Sequence, residues 1–290
     1  MRDRLYWYAR LCRLHKPIGT FLLLWPTLWA LWIASKGQPD YVILTIFILG
    51  TWLMRSAGCA LNDIADRKID GRVQRTQDRP IVMGKVSVTE ALCVFVLLCG
   101  GAFLLVLQLN QLTIYLSLGA LILASIYPFA KRYTYLPQVI LGAAFSASIP
   151  MAFAAQTNEL PAIAWLLYAI SVIWCTAYDT QYAMADYADD IKIGVKSLAI
   201  LLRAMFGNAD VWIIMSLHSL ALLGLLMIGQ KLNFSIWFYA ACALAVVNLI
   251  YQAWLIRQHD PARCFRAFMA NNYLGATIFA GLLAHYHLST

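Results

Sequence analysis

The sequence predicts an all-α, polytopic membrane protein of about nine transmembrane helices, and three observations carry that prediction. Hydrophobic residues make up 62% of the 290, charged residues only 12%, and mean hydropathy is +0.68. The chain carries 10 tryptophans and 15 tyrosines, enough to furnish aromatic belts at both membrane interfaces. Long apolar runs recur from end to end, each near the roughly 20 residues that a helix needs to cross a bilayer core. This profile excludes a soluble globule, and so many spans joined by short connectors leave no room for a separate soluble domain, so residues 1–290 read as one domain.

In chain order the runs fall at 17–35, 41–61, 88–109, 112–129, 137–155, 161–181, 211–229, 233–256 and 267–287. Four of the breaks carry turn chemistry: Ser-Lys-Gly-Gln-Pro at 35–39, Gln-Leu-Asn-Gln at 108–111, Gln-Thr-Asn-Glu-Leu-Pro at 156–161 and Gly-Gln-Lys-Leu-Asn at 229–233. The remaining breaks are longer and charged.

Those charges set an orientation. Arg2, Arg4, Arg10, Arg13 and Lys16 precede the first run, and Arg67, Lys68, Arg72, Arg75, Arg79 and Lys85 follow the second. Lys131 and Arg132 follow the fourth, Lys192, Lys196 and Arg203 the sixth, and Arg257, Arg263 and Arg266 the eighth. These are 19 of the 22 Lys and Arg; the opposite side holds only Lys36 and Lys231, and Arg55 lies inside the second run. The positive-inside rule therefore places the N terminus and these connectors in the cytoplasm and the C terminus outside.

The net charge of +8 is thus mostly topological, and it attracts anionic membrane lipids. No nucleic acid is expected, because no basic helix or stacking platform stands clear of the membrane. The basic lead-in of the first run imitates a signal peptide, yet the run exceeds an ordinary h-region and no small-x-small cleavage site ends it. Seven cysteines without a C-x-x-C pair argue against a disulfide framework, and the five scattered histidines read as interfacial.

Seven of the 14 acidic residues gather in two short clusters, Asp63, Asp66 and Asp70 after the second run and Asp179, Asp186, Asp189 and Asp190 after the sixth. Ionisable groups at the end of a span are costly unless paired or solvated, which makes them functional candidates. Asn62, Asp66 and Asp70 are spaced i, i+4, i+8, and Asp179, Asp186 and Asp190 i, i+7, i+11, so on helices each set follows one face. Either cluster alone also fits ordinary end-of-helix carboxylates, Asp63 and Asp66 pairing with Arg67 or Lys68 and Asp189 with Asp190 capping the next segment. Both on one membrane side require two such coincidences.

Oxygen-only ligands select Mg²⁺ or Mn²⁺ over zinc, and Mg²⁺ usually takes one or two carboxylates together with phosphate oxygens. Arg67, Lys68, Arg72, Arg75 and Arg79 would repel a bare cation but suit a metal bound to a strongly anionic group, most simply a diphosphate held in arginine forks. Inside an apolar protein, that group points to a lipid diphosphate. A cation-coupled transporter is the rival class, but its site belongs near the bilayer midplane rather than at span ends.

The run Asn62-Asp-x-x-Asp66-x-x-x-Asp70, the later Asp186-x-x-x-Asp190, and Tyr127-x-x-x-Lys131 resemble the motifs of the UbiA superfamily of intramembrane prenyltransferases. The likeness extends nearly end to end. Lys16-Pro-Ile-Gly, Trp25-Pro-Thr-Leu-Trp-Ala, Tyr178-Asp-Thr-Gln-Tyr-Ala and Phe268-Met-Ala-Asn-Asn-Tyr are similar to the members that prenylate 4-hydroxybenzoate in bacterial ubiquinone synthesis. The resemblance implies nine helices around a central cavity, a metal-diphosphate site at its cytoplasmic mouth and a lipid-facing opening for the isoprenoid. It implies two Mg²⁺ ions bridged by the substrate diphosphate, one on Asn62, Asp66 and Asp70 and the other on Asp186 and Asp190, with Asp63 and Asp179 in support. Asp189 points about 100° away from Asp190.

The implied reaction is ionisation of a polyprenyl diphosphate, capture of the allylic cation by a phenol ring ortho to its hydroxyl, and loss of a proton; another aromatic acceptor is the alternative within the superfamily. Metal and basic side chains such as Lys131, Arg67, Lys68, Arg75 and Arg79 would stabilise the departing diphosphate. Tyr127, Tyr178 and Tyr182 are placed to shelter the cation, or else to anchor span ends. An acceptor carboxylate would need a guanidinium, for which Arg132 is the first candidate and Arg55 the second; Arg55 lies seven residues before Asn62 and shares its helix face.

Overall fold

The computed structural model describes residues 2–72 and 75–288, and all regular structure among them is helical. The helices are α1 Arg2–Leu11, α2 Ile18–Ala34, α3 Tyr41–Asp66, α4 Val88–Val106, α5 Gln111–Ala130, α6 Pro137–Ser146 and α7 Ser148–Thr157. They continue with α8 Ala162–Ile193, α9 Leu198–Phe206, α10 Asp210–Lys231, α11 Ile236–Ile256 and α12 Pro261–Leu288. Eight segments among the described residues are long and apolar enough to cross a membrane, with α6–α7 and α9–α10 each counted as one. The ninth expected span is α2, apolar but only 17 residues long. The chain is thus a multi-pass membrane protein in which every predicted run is helical, the fifth as two consecutive helices.

Local chemistry fixes the helix starts. Asp40 accepts from the backbone N–H groups of Val42 and Ile43, and Asn110 from Thr113, while Ser87 and Glu90 form a reciprocal capping box. The predicted fifth span breaks at Ala147, between α6 and α7, because Pro150 offers no N–H to the carbonyl of Ser146.

Three departures from the sequence reading matter. α8 does not stop near 181 but runs to Ile193, ending on Gly194 at φ 72°, so the second acidic cluster rides on a continuous helix. α3 stops at Asp66, and Asp70 opens a separate short 3₁₀ turn, so the i, i+4, i+8 face ends before its third member. Two segments taken as connectors are helical: α9, and α1, which crosses the end of α3 and α4, with Leu11 packed against Ala60 and Ala91 and Arg4 bonded to Glu90 at 2.8 Å.

Packing divides the bundle. Trp29, Ile149, Leu167 and Ile278 are fully buried between α2, α7, α8 and α12, whereas α4 and α5 expose most of their surface, as lipid-facing helices do. α8, α10, α11 and α12 are tied together by a buried polar network. Asn271 accepts from Trp174 Nε1 at 3.0 Å and donates to Gln181 at 2.9 Å, and Gln181 donates to Gln252 at 2.8 Å. His218 faces Asn271 at 3.1 Å, so it is a core residue rather than the interfacial group its sequence position suggested. All seven cysteines are free.

Candidate metal and diphosphate site

α3 and α8 carry their acidic ends to the same end of the bundle, and residues 75–79 of the following connector reach both of them. Asp63 and Asp66 occupy the last turn of α3 and are 1% exposed; Asp70 is 4% exposed in the turn that follows. That turn is fixed by Ile69 N–H to the Asp66 carbonyl at 2.7 Å and by the Thr76 hydroxyl to the Asp70 carbonyl at 2.8 Å. The chain therefore doubles back and returns its arginines over the acids.

Each buried acid meets a cation. Arg13, from the segment before α2, donates to Asp63 Oδ1 at 2.6 Å and to Oδ2 at 3.4 Å. Arg79 bonds the Asp70 carboxylate and stands 3.2 Å from Asp63. Lys131, at the end of α5, bonds Asp66 Oδ2, leaving Asp66 Oδ1 buried without a partner. Burial pushes the Asp70 carboxyl up to about 6; the Arg79 guanidinium opposes this, and the charges of Asp66 and Asp63 add to it.

The second cluster is more open. Asp186 accepts from Arg75 Nε at 2.9 Å, and the Arg75 guanidinium stands 4.5 Å from the ring centre of Tyr182. Asp189 pairs only with exposed Lys192 at 3.5 Å, in keeping with its divergent direction. Asp179 and Asp190 make no ion pair among the described residues. One connector thus bridges the two clusters, Arg79 reaching the first and Arg75 the second.

A cavity of about 510 Å³ opens beside these groups. Arg55, Asn62, Arg75, Arg79, Tyr127, Tyr178, Asp179 and Tyr182 line its charged end, and Leu22, Phe47, Phe103, Leu121 and Met151 continue it into the apolar bundle. Phe268 also lines it and packs edge-on against Tyr182 at 4.9 Å. Arg55 is the unusual member, because its hydrogen bond goes to the thiol of Cys59 at 3.0 Å and no carboxylate pairs with it among the described residues. Its guanidinium lies 6.0 Å from the Phe145 ring. The Asp179 carboxylate lies near enough to feel the charge of Arg55 without pairing with it, so the guanidinium fork is unpaired among the described residues and suits a ligand carboxylate.

Several predicted residues fall elsewhere. Arg132 is exposed, donates to the Ala65 carbonyl and lies 5.6 Å from the Phe129 ring, outside the cavity wall. Arg67 is exposed and donates to the Ile64 carbonyl at 2.7 Å, and Lys68 is exposed as well. Conversely, Arg10, Arg13, His15 and Lys16 line the cavity, although the sequence reading counted them only as loop charges or interfacial groups. Partial burial, with Arg10, Lys16 and Arg13 nearby, holds the His15 pKa below its ordinary value. The only signal for this segment was the Lys16-Pro-Ile-Gly stretch.

The donors present fit a hard divalent ion. They are carboxylate and amide oxygens, and one of them, Asp66 Oδ1, is buried and unpaired. Among the described residues no three acids converge on one point, so the arrangement matches an ion shared between one or two carboxylates and phosphate oxygens rather than an all-protein cage.

Comparison with known proteins places the fold. The model of the UbiA prenyltransferase family matches residues 23–274. A 4-hydroxybenzoate octaprenyltransferase of Alkalilimnicola ehrlichii is 54% identical over 288 residues, 99% of this chain and 97% of that protein. One from Pseudomonas fluorescens is 52% identical over 286 residues, covering 99% and 95%. Among solved structures, a UbiA homologue from Aeropyrum pernix superposes with a TM-score of 0.79 at 23% identity, over 92% of this chain and 98% of that one. A UbiA homologue from Archaeoglobus fulgidus bound to GPP and Mg²⁺ superposes with a TM-score of 0.72 at 16% identity, over 95% and 99%.

Proposed function

The chain belongs to the UbiA prenyltransferase family, and from that premise we propose that it transfers a polyprenyl group from polyprenyl diphosphate to 4-hydroxybenzoate. The new bond forms at the ring carbon ortho to the hydroxyl, diphosphate is released, and the product feeds ubiquinone biosynthesis. The observation that carries the acceptor assignment is Arg55, a guanidinium on the cavity wall whose hydrogen bond goes to a thiol and which forms no ion pair among the described residues. The names of the relatives, all above half identity over nearly the whole chain, support the same substrate pair.

Asn62, Asp66 and Asp70 on one side and Asp186 and Asp190 on the other are the residues we assign to hold two Mg²⁺ ions; bound there, Mg²⁺ supplies positive charge to the departing diphosphate. Arg75 and Arg79, now on Asp186 and Asp70, hold the diphosphate in charge-assisted forks, and Lys131 beside Asp66 adds a third cation. The allylic C–O bond breaks with its electron pair leaving on oxygen. Tyr127, Tyr178 and Tyr182 offer ring faces to the allylic cation, and the surrounding apolar wall excludes water. Arg55 holds the acceptor carboxylate, the ring carbon attacks, and Asp179 on the same wall takes the proton that the ring loses.

The lopsided distribution of Lys and Arg supports an orientation in the bacterial inner membrane with the N terminus and both acidic clusters cytoplasmic. Residues 1–290 form one domain in this reading.

The acceptor assignment is tested by Arg55→Ala against Arg132→Ala. Arg55→Ala is expected to raise the 4-hydroxybenzoate KM by about 10- to 100-fold with little change in the diphosphate KM, the size of a lost charge-assisted pair. Arg132→Ala leaves the acceptor KM within about twofold, as its carbonyl partner implies. The reverse pattern would return the carboxylate to Arg132.

A further inference from the structure

Gly19, in the first turn of α2, is buried and lies on the cavity wall. A Cβ at this position would stand 2.4 Å from Arg55 Nη2, 2.6 Å from Nε and 2.9 Å from Cζ. All three atoms belong to the guanidinium, so the plane of Arg55 rests against bare backbone. A real Cβ does not approach other heavy atoms so closely, and every residue but glycine would displace the guanidinium. The other observed contacts are the Cys59 thiol, 3.0 Å from Nη1, and the Phe145 ring at 6.0 Å.

We propose that Gly19 is a positioning residue for acceptor recognition: the absence of its side chain sets where the Arg55 fork stands and so tunes the cavity to a carboxylate-bearing ring. This rests on the reading of Arg55 as the partner of the acceptor carboxylate. The effect is confined to that fork, because the displaced group is the far end of a flexible side chain rather than backbone. Two parallel N–H···O bonds require donor and acceptor planes to coincide, and a shift of the order of 1 Å removes one of them. It also gives the Lys16-Pro-Ile-Gly stretch a physical reason for ending in glycine.

The test is a double-mutant cycle of Gly19→Ala and Arg55→Lys, reading acceptor KM, diphosphate KM and melting temperature in detergent. Gly19→Ala is expected to raise the acceptor KM about tenfold while the diphosphate KM and melting temperature hold. In the Arg55→Lys background, whose ammonium lacks the Nε–Nη2 edge, Gly19→Ala adds nothing further. Equal effects of Gly19→Ala in both backgrounds, or an unchanged acceptor KM where Arg55→Ala raises it, would overturn the proposal. Should Gly19→Ala fold poorly, recovery of folding with Arg55→Lys supports the contact, and persistent misfolding makes Gly19 a helix-packing residue instead. If wild-type enzyme transfers prenyl groups but Arg55→Ala leaves the acceptor KM untouched, the reading of Arg55 fails and the role of Gly19 with it.

Discussion

The two acidic clusters share an i, i+4 spacing and a bundle end, yet they are built differently. In the first, α3 ends at Asp66, the chain folds over itself, and Asp63, Asp66 and Asp70 are almost wholly buried against Arg13, Lys131 and Arg79. In the second, α8 continues past the acids to Ile193, and among the described residues only Asp186 is paired with an arginine from elsewhere in the chain. A cluster enclosed by cations from three other segments is part of what holds the fold. A cluster along an open helix is free to serve a ligand alone. Substitutions in the first are therefore expected to cost stability and activity together, and those in the second activity only.

The largest effect falls on the metal ligands. Asp66→Asn and Asp190→Asn each remove one ligand charge, and each is expected to lower kcat by at least about 100-fold, with EDTA abolishing turnover and Mg²⁺ restoring it. The melting temperature in detergent separates the two: Asp66→Asn lowers it, because Lys131 loses its buried partner, and Asp190→Asn does not. Equal melting temperatures would erase the distinction between the clusters. Full activity in either variant would remove that aspartate from the site.

The connector gives a smaller effect of the same kind. Arg79→Ala strips both Asp63 and Asp70 of a cation and should raise the diphosphate KM about tenfold and lower the melting temperature. Arg75→Ala, which frees only the more open Asp186, should raise the diphosphate KM similarly and leave the melting temperature in place. If both variants melt alike, the two clusters depend on the connector to the same degree.

Cysteine labelling probes whether the clusters share a membrane side at all. In a background without the seven native cysteines, cysteines at the exposed positions Gln77 and Lys192 should react from the cytoplasm, and those at Glu159 and Lys231 from outside. Reaction of positions 77 and 192 from opposite sides would separate the clusters and end the two-cluster site.

Much of this was legible in the sequence, and the limits have physical causes. Spans are legible because burial in lipid demands length and apolarity, and every predicted run is helical, although the fifth breaks at Ala147. The overshoot of α8 was not, because hydropathy falls where the aspartates begin although helical geometry continues to Gly194. Periodicity led Asp70 onto a helix that had already ended, at a turn closed by Ile69 N–H on the Asp66 carbonyl that spacing does not report. Arg13 was missed because a basic residue ahead of a span already has a topological explanation, and only the fold brings it to Asp63. That Arg55 and not Arg132 lines the cavity was not legible either, since a neighbour of Lys131 in sequence points elsewhere once α5 ends.

The central claim is that a metal-bound polyprenyl diphosphate is ionised beside Asp66 and Asp190 and captured by an aromatic acid held on Arg55. Its most direct test is to incubate the purified protein in membranes with Mg²⁺, a long-chain polyprenyl diphosphate and a panel of aromatic acids and neutral phenols, and to identify products by mass. The account predicts a ring-prenylated product from 4-hydroxybenzoate, formed together with diphosphate and absent in EDTA. Product only from acceptors without a carboxylate, or no transfer to any aromatic ring, would contradict it.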